Sequence, residues 1–167
     1  MSIKTTQQKV THALPDEPEV LAAIGRIALR HGQLDNQLKM LIRSLTGVSK
    51  EEALDATRRN GSSELRDRIN KLARKRLGEG TPLVKLQALL TRAAQATEKR
   101  NQLLHGVWGT DLDGNLMIRG DTNNFDKAPS VEELEKLDDI IISILVDVVE
   151  ARMNGFLFDA LQNTKRD

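Results

Sequence analysis

Three polar side chains past the middle of the chain, Arg100, Asn101 and His105, are of types that could form one small chemical site. An imidazole exchanges protons near neutral pH, and a guanidinium and a carboxamide close by could converge with it. They lie in KRNQLLHGVWG, Lys99 to Gly109. On a regular helix Asn101 and His105, four residues apart, sit about 40° from one another on one face, while Arg100 is about 140° from His105. A long arginine side chain can bend round the helix to close that gap. Gly106 is placed to turn the chain at a helix C-terminus, which makes His105 the last helical or capping residue, at an end that favours a cation. The same residues also read as ordinary helix punctuation, since Lys, Arg or His commonly precedes a terminal glycine. Spacing alone does not separate the two readings, because Arg26 and His31 repeat it within a continuing apolar pattern. What differs at Arg100 is context: Asn101 one turn before His105, and a break directly after it.

Other chemistries lack their residues. There is no cysteine, hence no disulfide scaffold and no thiolate metal site. The histidines, His12, His31 and His105, are too far apart for metal-ligand spacing. No glycine-rich phosphate loop, G-x-S-x-G or H-E-x-x-H is present, and no metal or cofactor is implied.

The elements that must position the trio are mostly helices. The chain has 167 residues, enough for one substantial core, and is 29% charged with only 2% aromatic residues and no tyrosine. Its Leu, Ala, Arg, Lys, Glu and Gln content favours helix over strand. Residues 1–16 read as a loose tail ending at the PDEP turn, residues 17–162 as a single domain and 163–167 as a C-terminal tail. Apolar residues from Val20 to Leu45 keep three-and-four spacing up to Gly47, predicting a long first helix. Gly25 and Gly32 on one of its faces predict close packing against a neighbouring helix. Ser49 with Glu52 opens a short helix, and Ser62 or Ser63 another to about Leu77. GEGTP starts the helix that carries the trio at its end. Beyond it, VWGT and LMIR flank DLDGN, predicting a β-hairpin. Ser130 caps a last helix whose middle, Ile140 to Val149, is apolar nearly all round, as suits a bundle centre or half of a dimer interface. The expected fold is therefore mainly all-α: an up-and-down bundle of four to five helices with a small hairpin between the motif helix and the last helix. The N-terminus lacks a signal-peptide core and no run reaches the ~18 apolar residues of a membrane span, so a cytoplasmic protein with no membrane partner is expected.

RNQLLH, Arg100 to His105, resembles the R-x4-6-H motif of the HEPN superfamily. Its place late in a long helix of an α-rich chain, with HGVWG beyond, is similar to HEPN-like proteins across about residues 17 to 162 in outline. The resemblance implies a metal-independent endoribonuclease, a toxin or defence effector, that works as a homodimer with two motifs facing each other. RNA cleavage without metal needs a base for the 2′-hydroxyl, an acid for the leaving 5′-oxygen and positive charge on the phosphate. Two protomers supply two copies of His105 for base and acid, with Arg100 on the phosphate and Asn101 orienting histidine or phosphate; the products are a 2′,3′-cyclic phosphate and a 5′-hydroxyl. The implied partners are an RNA substrate, a second copy, and an antitoxin or activating protein. The alternative is a non-catalytic HEPN-like module that uses the same residues to bind a nucleotide, RNA or a protein.

Smaller roles fall to other residues. Asp35, in QLDNQL of the first helix, is a supporting residue for the motif or else part of a solvated face. In the basic run from Arg58 to Arg76, Arg58, Arg59, Arg66 and Arg74 are candidates for RNA phosphate contacts, weighed against a solvated face or pairing with the acidic run Glu132 to Glu150. Trp108, the only tryptophan, reads as a core or interface anchor.

Overall fold

In the computed structural model, residues 9–120 and 122–164 are described. Helix α1 (Pro18–Thr46) ends at Gly47, whose φ of 73° lets the chain leave the helix in the left-handed conformation. Helix α2 (Lys50–Ala56) carries the expected Ser49–Glu52 capping box, and α3 (Ser62–Leu77) follows, with Gly61 at its N-cap in place of the expected Ser62 or Ser63. Proline near the first turn begins α4 (Thr81–His105). Strands β2 (Val107–Thr110) and β3 (Leu116–Arg119) form the hairpin, and Ser130 with Glu133 caps α5 (Val131–Met153). The final helical stretch is divided. Its break is at Asn154–Gly155, where a Cβ on Gly155 would lie 2.9 Å from the Glu150 carbonyl oxygen, and α6 (Phe156–Asn163) is separate.

Helix α1 is central, packing most extensively on α5 and α3, while α4 touches α1, α3 and α5. Ile27, Leu34, Leu38 and Leu41 of α1 meet Leu65 and Ile69 of α3, Leu86 of α4 and Ile141 and Ile144 of α5 in one core. Each such side chain contributes about 1.5–3 kcal/mol by leaving water. The molecule is thus mainly helical with one small antiparallel sheet.

That sheet is larger than a hairpin. Its order is β1-β2-β3-β4, adding β1 (Thr11–His12) and β4 (Asp126–Lys127) at its edges. Residues 1–16 are therefore not a uniform loose tail: Thr11 pairs with Thr110 and His12 with Gly109. The approach depends on glycine, because a Cβ at Gly109 would stand 2.7 Å from the Thr11 carbonyl oxygen. The rest of that tail, residues 1–8, and most of the C-terminal one, 165–167, lie outside the described residues.

Two packing expectations are corrected. Gly25 and Gly32 do not face a neighbouring helix; nothing comes within 4 Å of a Cβ built on either. Their side of α1, with Leu21 and Leu29, is exposed. The apolar middle of α5 is neither wholly interior nor wholly free: Ile141, Ile144 and Val148 are buried, and Ile140, Val146 and Val149 are exposed.

Candidate functional site

Helix α4 reaches His105 and stops there because its next residue must run straight into β2. Gly106 has φ −66° and ψ 153°, an extended conformation, so it does not turn the chain through the left-handed region. Glycine is needed for space. A Cβ at this position would meet the Gln102 carbonyl oxygen and lie 3.0 Å from the Ile118 side chain of β3. The Gly106 amide bonds to that same Gln102 carbonyl at 3.0 Å, and Trp108, buried, donates from Nε1 to the Leu103 carbonyl at 2.9 Å. Helix end and sheet are locked together, which fixes the direction of the last turn of α4.

Along the exposed side of that turn runs a cavity of about 540 Å³, lined by Asn101 and His105 together with Arg66, Thr97 and Glu98. Asn101 and His105 thus share one face, as their spacing requires. Arg100 bends towards it: Nη1 donates to Asn101 Oδ1 at 2.8 Å. Its Nε is buried and makes no hydrogen bond among the described residues. With Oδ1 so engaged, the Asn101 amide group is left as a donor. Arg100 itself is not among the residues that line the cavity; it reaches the site through Asn101.

The second arginine comes from α3. Arg66 donates from Nη1 to Thr97 Oγ1 at 3.3 Å. Arg74 joins Arg66 along the adjoining groove between α3 and α4 but is exposed and bonded to Glu79. Arg58 and Arg59 are exposed beyond the end of α2 and line neither. The acidic α5 does not meet this basic run in ion pairs; Asp138 pairs with Arg30 of α1 and Asp147 with Arg92 of α4.

Behind the cavity is a polar network that ties α1, α3 and α4 together. His31, fully buried, places Nε2 3.0 Å from Thr97 Oγ1. The Thr97 hydroxyl donates to the Ala93 carbonyl at 2.7 Å. Its one proton is spent there, so the oxygen accepts from His31 and Arg66, and Nε2 carries the histidine proton. Nδ1 then faces Asp35 Oδ2 across 3.6 Å, beyond hydrogen-bonding distance. Asp35 is not a freely solvated helix residue: it is half-buried and its Oδ1 accepts from Ser62 Oγ at 2.6 Å. Burial lowers the His31 pKa from 6.5; the Asp35 carboxylate opposes this, and Arg100 and Arg66 add to it. Burial thus favours the neutral form of His31.

Sequence reasoning missed His31, Thr97 and Glu98, and gave Ser62 only as a candidate helix cap. His31 carried a signal, being a polar residue within the otherwise apolar series Ile27, Leu34 and Leu38, with Asp35 one turn on. Glu98 lies seven residues before His105, about 20° round the helix, and so belongs to the same face. Thr97 and Ser62 are single hydroxyls on amphipathic helices, which nothing in the chain distinguishes from surface residues.

Taken together, two arginines, a carboxamide, an imidazole and a carboxylate converge at the end of one helix. The arginines supply fixed positive charge, and His105 and Glu98 are the groups that can exchange protons. No protein-family model, curated protein or solved structure matches this chain.

Proposed function

We propose that the chain is a metal-independent endoribonuclease of the HEPN type, working as a homodimer and serving as a toxin or defence effector. The up-and-down bundle arrangement is part of the same reading. The observation that carries it is the shared cavity: Asn101 and His105 line it with Arg66, and Arg100 is held against Asn101. In the proposed reaction the 2′-oxygen forms a bond to phosphorus as the bond from phosphorus to the 5′-oxygen breaks. One group takes the 2′-hydroxyl proton and another gives a proton to the leaving 5′-oxygen. His105 performs one of these transfers. The other falls to the partner's His105, as the resemblance implies, or to Glu98 in the same cavity. Arg66 and Arg100 stabilise the charge that builds on the phosphate.

The test is incubation of mixed RNA with purified protein in EDTA, beside His105→Ala. Wild type is expected to leave 2′,3′-cyclic phosphate ends, and His105→Ala to cut about 10²–10⁴-fold more slowly. Intact RNA at high protein concentration refutes catalysis. RNA bound but uncut is the result that supports the non-catalytic module instead, a reading favoured by Arg100 lying against Asn101 rather than in the cavity lining.

A further inference from the structure

A second cavity, about 670 Å³, lies between α4, the sheet and α5. Gln102 and Gly120 line both it and the cavity at His105, so the two adjoin at the last turn of α4. Its walls include Leu103, Ile118, Leu134 and Leu137, all part of the core or packed against it. Cations come from three different elements: Lys99 of α4, Lys127 of β4 and Lys136 of α5. Lys136 is bonded to Glu132 at 2.8 Å. Lys99 and Lys127 form no ion pair among the described residues. Two carboxylates share the lining, Asp126 and Glu133, and Glu133 is engaged in the α5 cap, where Oε2 accepts from the Ser130 amide at 2.8 Å.

An apolar wall beside unpaired ammonium groups asks for a ligand with a flat uncharged part and an anionic part, and the volume is that of a small-molecule site. A nucleotide has both parts, and the His105 cavity next door places such a ligand beside the proposed cleavage site. We propose that this second cavity holds a nucleotide of the bound RNA strand, next to the phosphate being cleaved. Its base lies against Ile118 and Leu137, and its phosphate is held by Lys99 and Lys127. This rests on the ribonuclease reading and adds to it a binding subsite on the α4–α5 side. Because the wall is aliphatic and carries no aromatic ring, the subsite grips a base by its faces and tolerates all four.

The experiment uses the full chain and a single-stranded oligoribonucleotide with one 4-thiouridine, placed in turn along the strand. Irradiated with His105→Ala protein, the oligonucleotide is expected to crosslink to peptides containing Ile118 or Leu137. In the otherwise native protein, Lys99→Glu with Lys127→Glu is expected to raise KM at least tenfold with little change in kcat. Lys50→Glu with Lys71→Glu removes the same charge from exposed positions elsewhere and serves as the comparison. Cleavage by wild type, with crosslinks only along the α3–α4 groove and both double variants equal in KM, overturns the subsite while leaving the ribonuclease reading intact. RNA that is neither bound nor cut by wild type overturns both. Circular dichroism of the lysine variants confirms that they fold, since neither lysine is buried.

Discussion

Replacing Thr97 by valine tests the buried network directly. The two side chains have nearly the same shape, but valine gives His31 Nε2 nothing to donate to. That nitrogen belongs to a side chain that is 2% exposed, so water cannot stand in for the hydroxyl. Leaving a buried donor unsatisfied costs about 1–3 kcal/mol. For a chain of this size each kcal/mol lowers Tm by about 2–4 °C, which makes a fall of roughly 4–8 °C the central expectation. His31→Leu alone creates no such orphan, because the Thr97 hydroxyl keeps its bond to the Ala93 carbonyl; it is expected to cost about 1 kcal/mol, as for a swap that roughly conserves volume. The double variant has neither the donor nor the missing acceptor. It should be about as stable as His31→Leu, giving a coupling of at least about 1 kcal/mol between the two positions. Urea denaturation of the four proteins, with m-values checked for constancy, reads this cycle. Losses that add to within about 0.5 kcal/mol refute the proton assignment at Thr97 and with it the idea that the network acts as a unit.

Three further outcomes follow from the same geometry. Gly106→Ala keeps an allowed φ but drives a Cβ against the Gln102 carbonyl and Ile118; about 1–3 kcal/mol of stability is expected to be lost, with a fall in RNA cleavage because His105 is the adjacent residue, read by thermal melting and an end-point cleavage assay. Burial first, and then Arg100 and Arg66, hold the His31 pKa below 6.5 in the folded protein. Its contribution is therefore complete above the unfolded value and is lost as pH falls below it, because the unfolded chain then binds the extra proton. Wild type is expected to lose more stability than His31→Leu between pH 7.5 and 5, and equal losses would remove His31 from the account. Glu98→Gln keeps size and hydrogen bonding; a drop in kcat of about 10² or more with unchanged KM assigns Glu98 the second proton transfer, whereas an unchanged kcat leaves that transfer to the partner's His105.

The helical framework was legible because its signals are local. Capping boxes at Ser49 and Ser130, proline at the start of α4 and glycine after α1 each act within one turn, and all four stand where the sequence puts them. The sheet was legible only as far as the Asp113–Gly114 loop. Strand β1 depends on Gly109 admitting a backbone nearly a hundred residues away, and a glycine in a short strand does not announce what passes over it. Gly106 shows the same limit more sharply. Its position was correct and its reason was not: glycine stands there because a Cβ would meet the Gln102 carbonyl and the Ile118 side chain of β3, not to make a left-handed turn.

Periodicity also says which face of a helix is apolar without saying whether this chain covers it. On α1, Leu29 and His31 are two residues and about 200° apart, so they point to opposite sides. The exposed Leu21, Gly25, Leu29 and Gly32 lie about 80–160° from His31 round the helix, on a face beside the one that carries the network. Under the homodimer proposal, facing motifs need a surface that includes the end of α4, where His105 stands. The residues that hint most strongly at packing in the sequence, the two glycines of α1, lie on an exposed face of their helix, where a Cβ on either would touch no neighbour.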